Sequence, residues 1–164
     1  MTILFSSSLV NLVAQRGLLE TFGLGGGFGT TSTNTSISIY SGAQPLASDV
    51  VTGWSPYTSA SPDFLLHFMN ARWGRPTSTS PFISLGVFPG PATAVHDGAG
   101  TWAIIWTSAI TAANVAGATL PSGTFIVVPV SDLVGNGVIK FNPNAFTTGT
   151  PYSIAEGVLG VAAI

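Results

Sequence analysis

From Ser36 onward the chain is cut into short apolar runs by turn residues, and that punctuation limits its fold more than any other feature. Ser36-Ile37-Ser38-Ile39-Tyr40-Ser41 alternates polar and apolar residues, the pattern of a strand with one buried face. Further strand candidates are Phe64–Met69, Phe82–Val87, Thr101–Ile110, Thr124–Val130, Val138–Phe141 and Tyr152–Val161. Turn signals separate them: Ser61-Pro62-Asp63, Gly74-Arg75-Pro76, Pro89-Gly90-Pro91, Asp97-Gly98, Pro121-Ser122-Gly123 and Gly135-Asn136-Gly137. Strands this numerous and regularly interrupted predict an all-β sandwich, with a jelly roll as one version. Val134-Gly135-Asn136-Gly137-Val138 predicts a tight hairpin.

The N-terminal part reads differently. Residues 1–6 form an arm, Ser7 or Ser8 offers an N-cap, and Leu9, Leu12, Val13 and Leu19 recur at helical spacing before Gly23. The expectation is one amphipathic helix from Ser8 to Phe22. The glycine cluster Gly23-Leu24-Gly25-Gly26-Gly27-Phe28-Gly29 lacks the Lys-Ser/Thr pair of a phosphate loop and leads toward a strand rather than out of one, so it reads as a flexible link. The chain therefore divides into an arm, helix and link over residues 1–29 and a single β-sandwich domain over residues 30–164.

Charge is scarce. Charged residues make up 6% of the 164, against roughly 25% in an ordinary soluble domain. A monomer of this size relies on mixed-sign charge for solvation and to keep neighbours apart. Here Ser, Thr, Asn and Gly must supply the polar exterior, which dissolves but repels little. That composition suits a surface covered by other protein; a secreted or heat-resistant domain with a Ser/Thr exterior is the plainer alternative. Four Lys and Arg in the whole chain cannot neutralise a phosphate backbone, so no nucleic-acid partner is expected. The N-terminus lacks the cationic start of a secretory signal, and the apolar window Trp102–Leu120 is interrupted by Thr107, Ser108, Thr111, Asn114 and Gly117, so no membrane span is expected.

Chemistry-bearing residues are few. With no cysteine, thiol catalysis and thiolate metal sites are excluded. His96-Asp97 enters an Asp-Gly turn, and His67, in Leu65-Leu66-His67-Phe68-Met69, reads as a hydrogen-bonded sheet histidine. No nucleophile elbow, zinc helix or calcium loop is present. The reading is of a chain with no catalytic residues, no cofactor and no metal; a hydrolase built on Asp63, Asp97 or Asp132 is the remote alternative.

The aromatics carry the other hypotheses. Trp102 and Trp106 share one face of a strand with Ile104, while Ala103 and Ile105 face the other way, so both faces are apolar and core packing is expected. Trp54 and Tyr57 lie in a Ser/Pro/Gly-rich stretch and read as partner anchors, as exposed aromatics commonly are. With Trp73 they would also serve a carbohydrate-binding module or adhesin.

One family resemblance runs through these segments. The N-terminal helix and glycine link, then Ile37-Ser38-Ile39-Tyr40-Ser41-Gly42-Ala43-Gln44-Pro45, Ala47-Ser48-Asp49 and Val51-Thr52-Gly53, resemble small structural proteins of tailed bacteriophages, which open with a short helix, a strand of this type and an Ala/Asp-rich loop. Gly98-Ala99-Gly100-Thr101-Trp102-Ala103-Ile104 resembles a later strand of the same family. Residues 55–81 and the C-terminal third depart from it. The resemblance implies a structural role in the virion; taken with the low charge, the expectation is a capsid decoration or cement protein, or a tail, neck or baseplate component, homo-oligomeric and bound to other virion proteins. The residues expected at the partner interface are Leu4, Phe5, Leu9, Trp54 and Tyr57.

Overall fold

The computed structural model describes residues 4–5, 35–46, 62–73, 82–87, 89–106 and 125–160. Among these residues the protein is all-β. Twelve strands run in chain order: β1 (Leu4–Phe5), β2 (Thr35–Tyr40), β3 (Phe64–Trp73), β4 (Phe82–Val87), β5 (Ala92–Thr93), β6 (Gly98–Ala99), β7 (Trp102–Trp106), β8 (Phe125–Asp132), β9 (Ile139–Phe141), β10 (Ala145–Phe146), β11 (Pro151–Tyr152) and β12 (Glu156–Gly160). The helix expected over Ser8–Phe22 and the glycine link lie outside the described residues.

Eight strands form one curled mixed sheet in the order β1-β8-β7-β2-β3-β4-β12-β9. Strand β9 bonds β12 on one side and runs parallel to β8 on the other, with Val130 opposite Ile139. The sheet thus bends round until its last strand meets its second, and the opposed walls share one core. Two short antiparallel ladders, β5–β11 and β6–β10, lie outside this sheet.

The inner core joins Ile37 and Ile39 of β2, Leu66 and Phe68 of β3, Ala103 and Ile105 of β7, Ile126 and Val128 of β8, and Ile139 and Phe141 of β9. Phe68 stacks on Phe141, which meets Phe146 edge-on, and Phe146 meets Tyr152 in the same way. This aromatic chain ties both short ladders to the core. A second cluster occupies the opposite face of the same strands: Tyr40, Phe64, Trp102, Ile104, Trp106, Phe125 and Val127. Tyr40 and Trp102 stack with centroids 4.2 Å apart and planes within 8°. The even spacing of Trp102, Ile104 and Trp106 put them on one face, as expected, and both faces of β7 are buried.

Three expectations are corrected. Strand β2 is not half-buried; all six residues are covered, including Thr35, Ser36 and Ser38. Its hydroxyls satisfy buried donors. Thr35 Oγ1 donates to Ala71 O at 2.9 Å and accepts from Trp73 Nε1 at 3.1 Å, while Ser38 Oγ accepts from Trp106 Nε1 at 3.1 Å. Polar residues in the alternation therefore do not mark a wet face. The segment 134–138 is no hairpin, because β8 and β9 run parallel. Tyr152–Val161 is not one strand but two, broken at Ser153-Ile154-Ala155, where Ile154 packs into the core.

The β2–β3 ladder also carries a bulge between Thr35 and Ile37, with Asn70 at φ 65°. Asn tolerates the left-handed conformation better than most residues. The shift lets β3 continue to Trp73 and deliver its indole to Thr35.

Replacing Thr35→Val keeps the shape but leaves the buried Trp73 N–H without an acceptor. Stability should fall by ~1–3 kcal/mol in urea unfolding. An unchanged midpoint would show that the hydroxyl does not hold the indole.

Candidate functional site

Several titratable and polar side chains of the described residues brace the fold. His67 pairs with Ser38 Oγ through Nδ1 at 2.9 Å, in line with a hydrogen-bonded sheet histidine, and His96 Nδ1 donates to Phe64 O at 2.8 Å. Asp63 receives Ser41 Oγ at 3.3 Å beside the turn at Gly42, whose φ of 75° suits glycine. Lys140 and Glu156, directly opposite on β9 and β12, form an ion pair at 3.3 Å. Asn144 Nδ2 donates to Gly100 O at 2.7 Å and braces the entry to β7.

Asp97 is tied to a distant turn through both of Thr148's donors. Its Oδ1 accepts from Thr148 N at 2.6 Å and from Thr148 Oγ1 at 2.8 Å. These bonds, the backbone one first, hold its carboxyl below the usual range despite full exposure. The contact closes the loop before β6 onto the turn after β10, where Gly149 N donates to Ala94 O. Asp63, Asp97 and Asp132 thus sit in separate local networks, and no group of three or more metal-ligating side chains occurs among the described residues.

A groove of about 320 Å³ opens beside β3, lined in part by His67, Met69, Pro91 and Thr93. Among its described lining residues the one titratable side chain is His67, whose Nδ1 is already paired. Of the large aromatics, Phe64, Trp73, Trp102 and Trp106 are buried. Trp73 is therefore withdrawn from the carbohydrate reading: its indole points to Thr35, not to solvent. Trp54, Tyr57 and Leu9 lie outside the described residues. Leu4 and Phe5 are placed on the sheet itself, opposite Val127 and Ile126 of β8.

The clearest exposed apolar feature was not singled out by sequence reading. Between β8 and β9 the chain reverses within residues 133–138 and presents Leu133, 45% exposed, and Val134, 91% exposed. Short-range hydrogen bonds hold that tip. Gly135 N donates to Asp132 Oδ1 at 2.9 Å, Gly137 N donates to Ser131 Oγ at 2.9 Å, and Ser131 Oγ donates to Asp132 O at 2.8 Å. Val138 N then returns to Pro129 O, which sets β9 parallel to β8. The two glycines permit the close approach: a Cβ on Gly137 would lie 2.5 Å from Ser131 N, and one on Gly135 2.6 Å from Ser131 Cβ. This explains why the Gly-Asn-Gly signal makes a knuckle here rather than a hairpin. The Ser131 and Asp132 side chains, not a cross-strand partner, accept the turn's N–H groups.

An apolar pair held on a pre-ordered loop can bind without an ordering cost, the property of an anchor residue in a protein interface. Comparison with protein families, with curated proteins and with solved structures returned no match to this chain.

Two outcomes follow. Gly137→Ala should destabilise the fold by ~1–3 kcal/mol through overpacking against Ser131, whereas Val134→Asp should stay within about 0.5 kcal/mol of the parent; paired urea titrations separate them. The Asp97 carboxyl should titrate below its ordinary value of 3.8. A depressed folded value means that its stabilising contribution is present above the unfolded value and is lost as pH falls through the folded one. The Thr148 amide shift, followed by NMR in acid, should report that midpoint and lose it in Asp97→Asn.

Proposed function

We propose that this protein is a structural subunit of a tailed-bacteriophage particle, present in many copies, that decorates or cements the capsid through multivalent protein contacts. The observation that carries this reading is a charge content of 6% in a chain that nonetheless builds a well-packed β core. A surface with so little charge of either sign gives neighbouring subunits little repulsion and little specificity of its own. It is suited to burial by symmetry-related neighbours, where modest contacts are multiplied. The Leu133–Val134 knuckle supplies a rigid apolar anchor for such a contact. The resemblance of the Ile37–Pro45 segment and the Gly98–Ile104 entry to tailed-phage structural proteins points the same way.

In this role the polar groups give rigidity rather than chemistry. Hydroxyls on β2, the Asp97–Thr148 latch and the Ser131 knuckle each fix a surface in place. A fixed surface meets its neighbour with less conformational entropy to lose. The protein acts by binding, without catalysis or a cofactor.

The test is to look for the chain by mass spectrometry in purified phage particles and to follow its self-association by light scattering up to ~millimolar concentration, the local concentration of a linked or crowded site. Presence in particles, with weaker association and lower occupancy for Val134→Asp, is the expected result. A chain that is absent from particles and remains monomeric would overturn the reading.

A further inference from the structure

We propose that β1 is exchanged between copies of this protein: Leu4–Phe5 of one chain pairs with Ile126–Val127 of a second. The inference rests on the many-copy assembly proposed above. Its first observation is the economy of the β1 ladder. β1 adds only two residues to the outer edge of β8, next to the stretch from Val130 to Asp132 that β9 covers. So short a ladder contributes little by itself, yet the edge it covers belongs to a strand buried along most of its length. Left uncovered, an edge of that kind is a template for pairing with another chain.

The second observation is the distance the connection must cover. In the sheet order β1-β8-β7-β2, Phe5 and Thr35 are separated by three strand spacings, roughly 14 Å. The chain between them is residues 6–34, a length that reaches on the order of 100 Å when extended. That length is several times what pairing within one copy requires, and it is enough to reach a neighbour packed alongside. It also contains Gly23, Gly25, Gly26, Gly27 and Gly29, which place few backbone restrictions on the route.

The third element is thermodynamic. The contacts of β1 on β8 are the same whether strand and edge belong to one chain or two. The balance between the arrangements is then set by effective concentration, which for a link of this length is ~millimolar. Subunits packed side by side on a particle meet that concentration. Exchange there costs little and ties each subunit to the next, so that a weak side contact becomes a mechanical link.

The absence of cysteine makes the test clean. In the full-length chain, Leu4→Cys is combined with Val127→Cys, its partner in register, and the protein is oxidised over a range of concentrations before non-reducing electrophoresis. Phe5→Cys with Ile126→Cys serves as a second registered pair should the first fold poorly. Leu4→Cys with Thr147→Cys, exposed just after β10, measures random collision. The registered pairs should pass from monomeric cross-links at low concentration to covalent dimers and longer ladders near ~millimolar, at least about tenfold above the collision control. Only intramolecular bonds at every concentration, no cross-link, or equal ladders from the collision control would each overturn the exchange. The readout needs no particle. Ladders from a chain absent from virions would remove the virion reading alone, and purely intramolecular bonds in a chain found in virions would remove the exchange alone.

Discussion

Two buried indole N–H groups, arriving from opposite neighbours, set the position of β2 and through it the rest of the sheet. Trp73 of β3 donates to Thr35, and Trp106 of β7 donates to Ser38. A buried N–H without an acceptor costs about 1–3 kcal/mol, so a shift of β2 against both neighbours would lose both bonds at once. The register observed, with Ser36 opposite Trp106 and Ser38 opposite Ile104, brings the Trp106 indole to Ser38 and keeps Ile37 and Ile39 toward the inner core. The bulge at Asn70 is the local adjustment that brings Trp73 to its hydroxyl. Burial also pushes the Tyr40 phenol well above its ordinary range, with a hydrogen bond to Ser38 opposing that rise, so the ring stays neutral in its stack on Trp102.

The same economy governs the surface. With so few charges, loops are held by hydroxyls, glycines and single carboxylates instead of ion-pair networks. Asp97 gathers the backbone and side chain of Thr148; Asp132 and Ser131 gather the backbone N–H groups of Gly135 and Gly137. Such bonds are short-range and barely screened by salt, unlike exposed ion pairs. They leave an exterior whose shape is well defined while its electrostatic character is weak. For a subunit that packs beside copies of itself, shape then carries the specificity.

Much of the architecture was legible in the chain. Period-two alternation and turn residues marked seven strand segments, and Phe82–Val87 is reproduced residue for residue. The Trp102–Trp106 spacing gave both faces of β7. Three of the two-residue strands were not legible: Ala92–Thr93, Gly98–Ala99 and Ala145–Phe146 are too short to carry a period, and they exist because distant segments meet. The candidate site was read less well. Trp73 looked available for a ligand because nothing local shows that Thr35, far away in sequence, accepts its N–H. The Leu133–Val134 tip was passed over because Val-Gly-Asn-Gly-Val carries the chemistry of a hairpin turn.

Sequence alone determined the fold class, the core strand β7 and the scarcity of charge, since these follow from periodicity, turn chemistry and composition, which are local. Tertiary structure decided that the serines of β2 are buried, that β9 returns parallel to β8, and that Leu4–Phe5 belongs to the sheet. Each of those depends on which distant donor or edge a residue meets. A hydroxyl or a backbone N–H is equally content with water or with a partner, and only the folded arrangement selects between them.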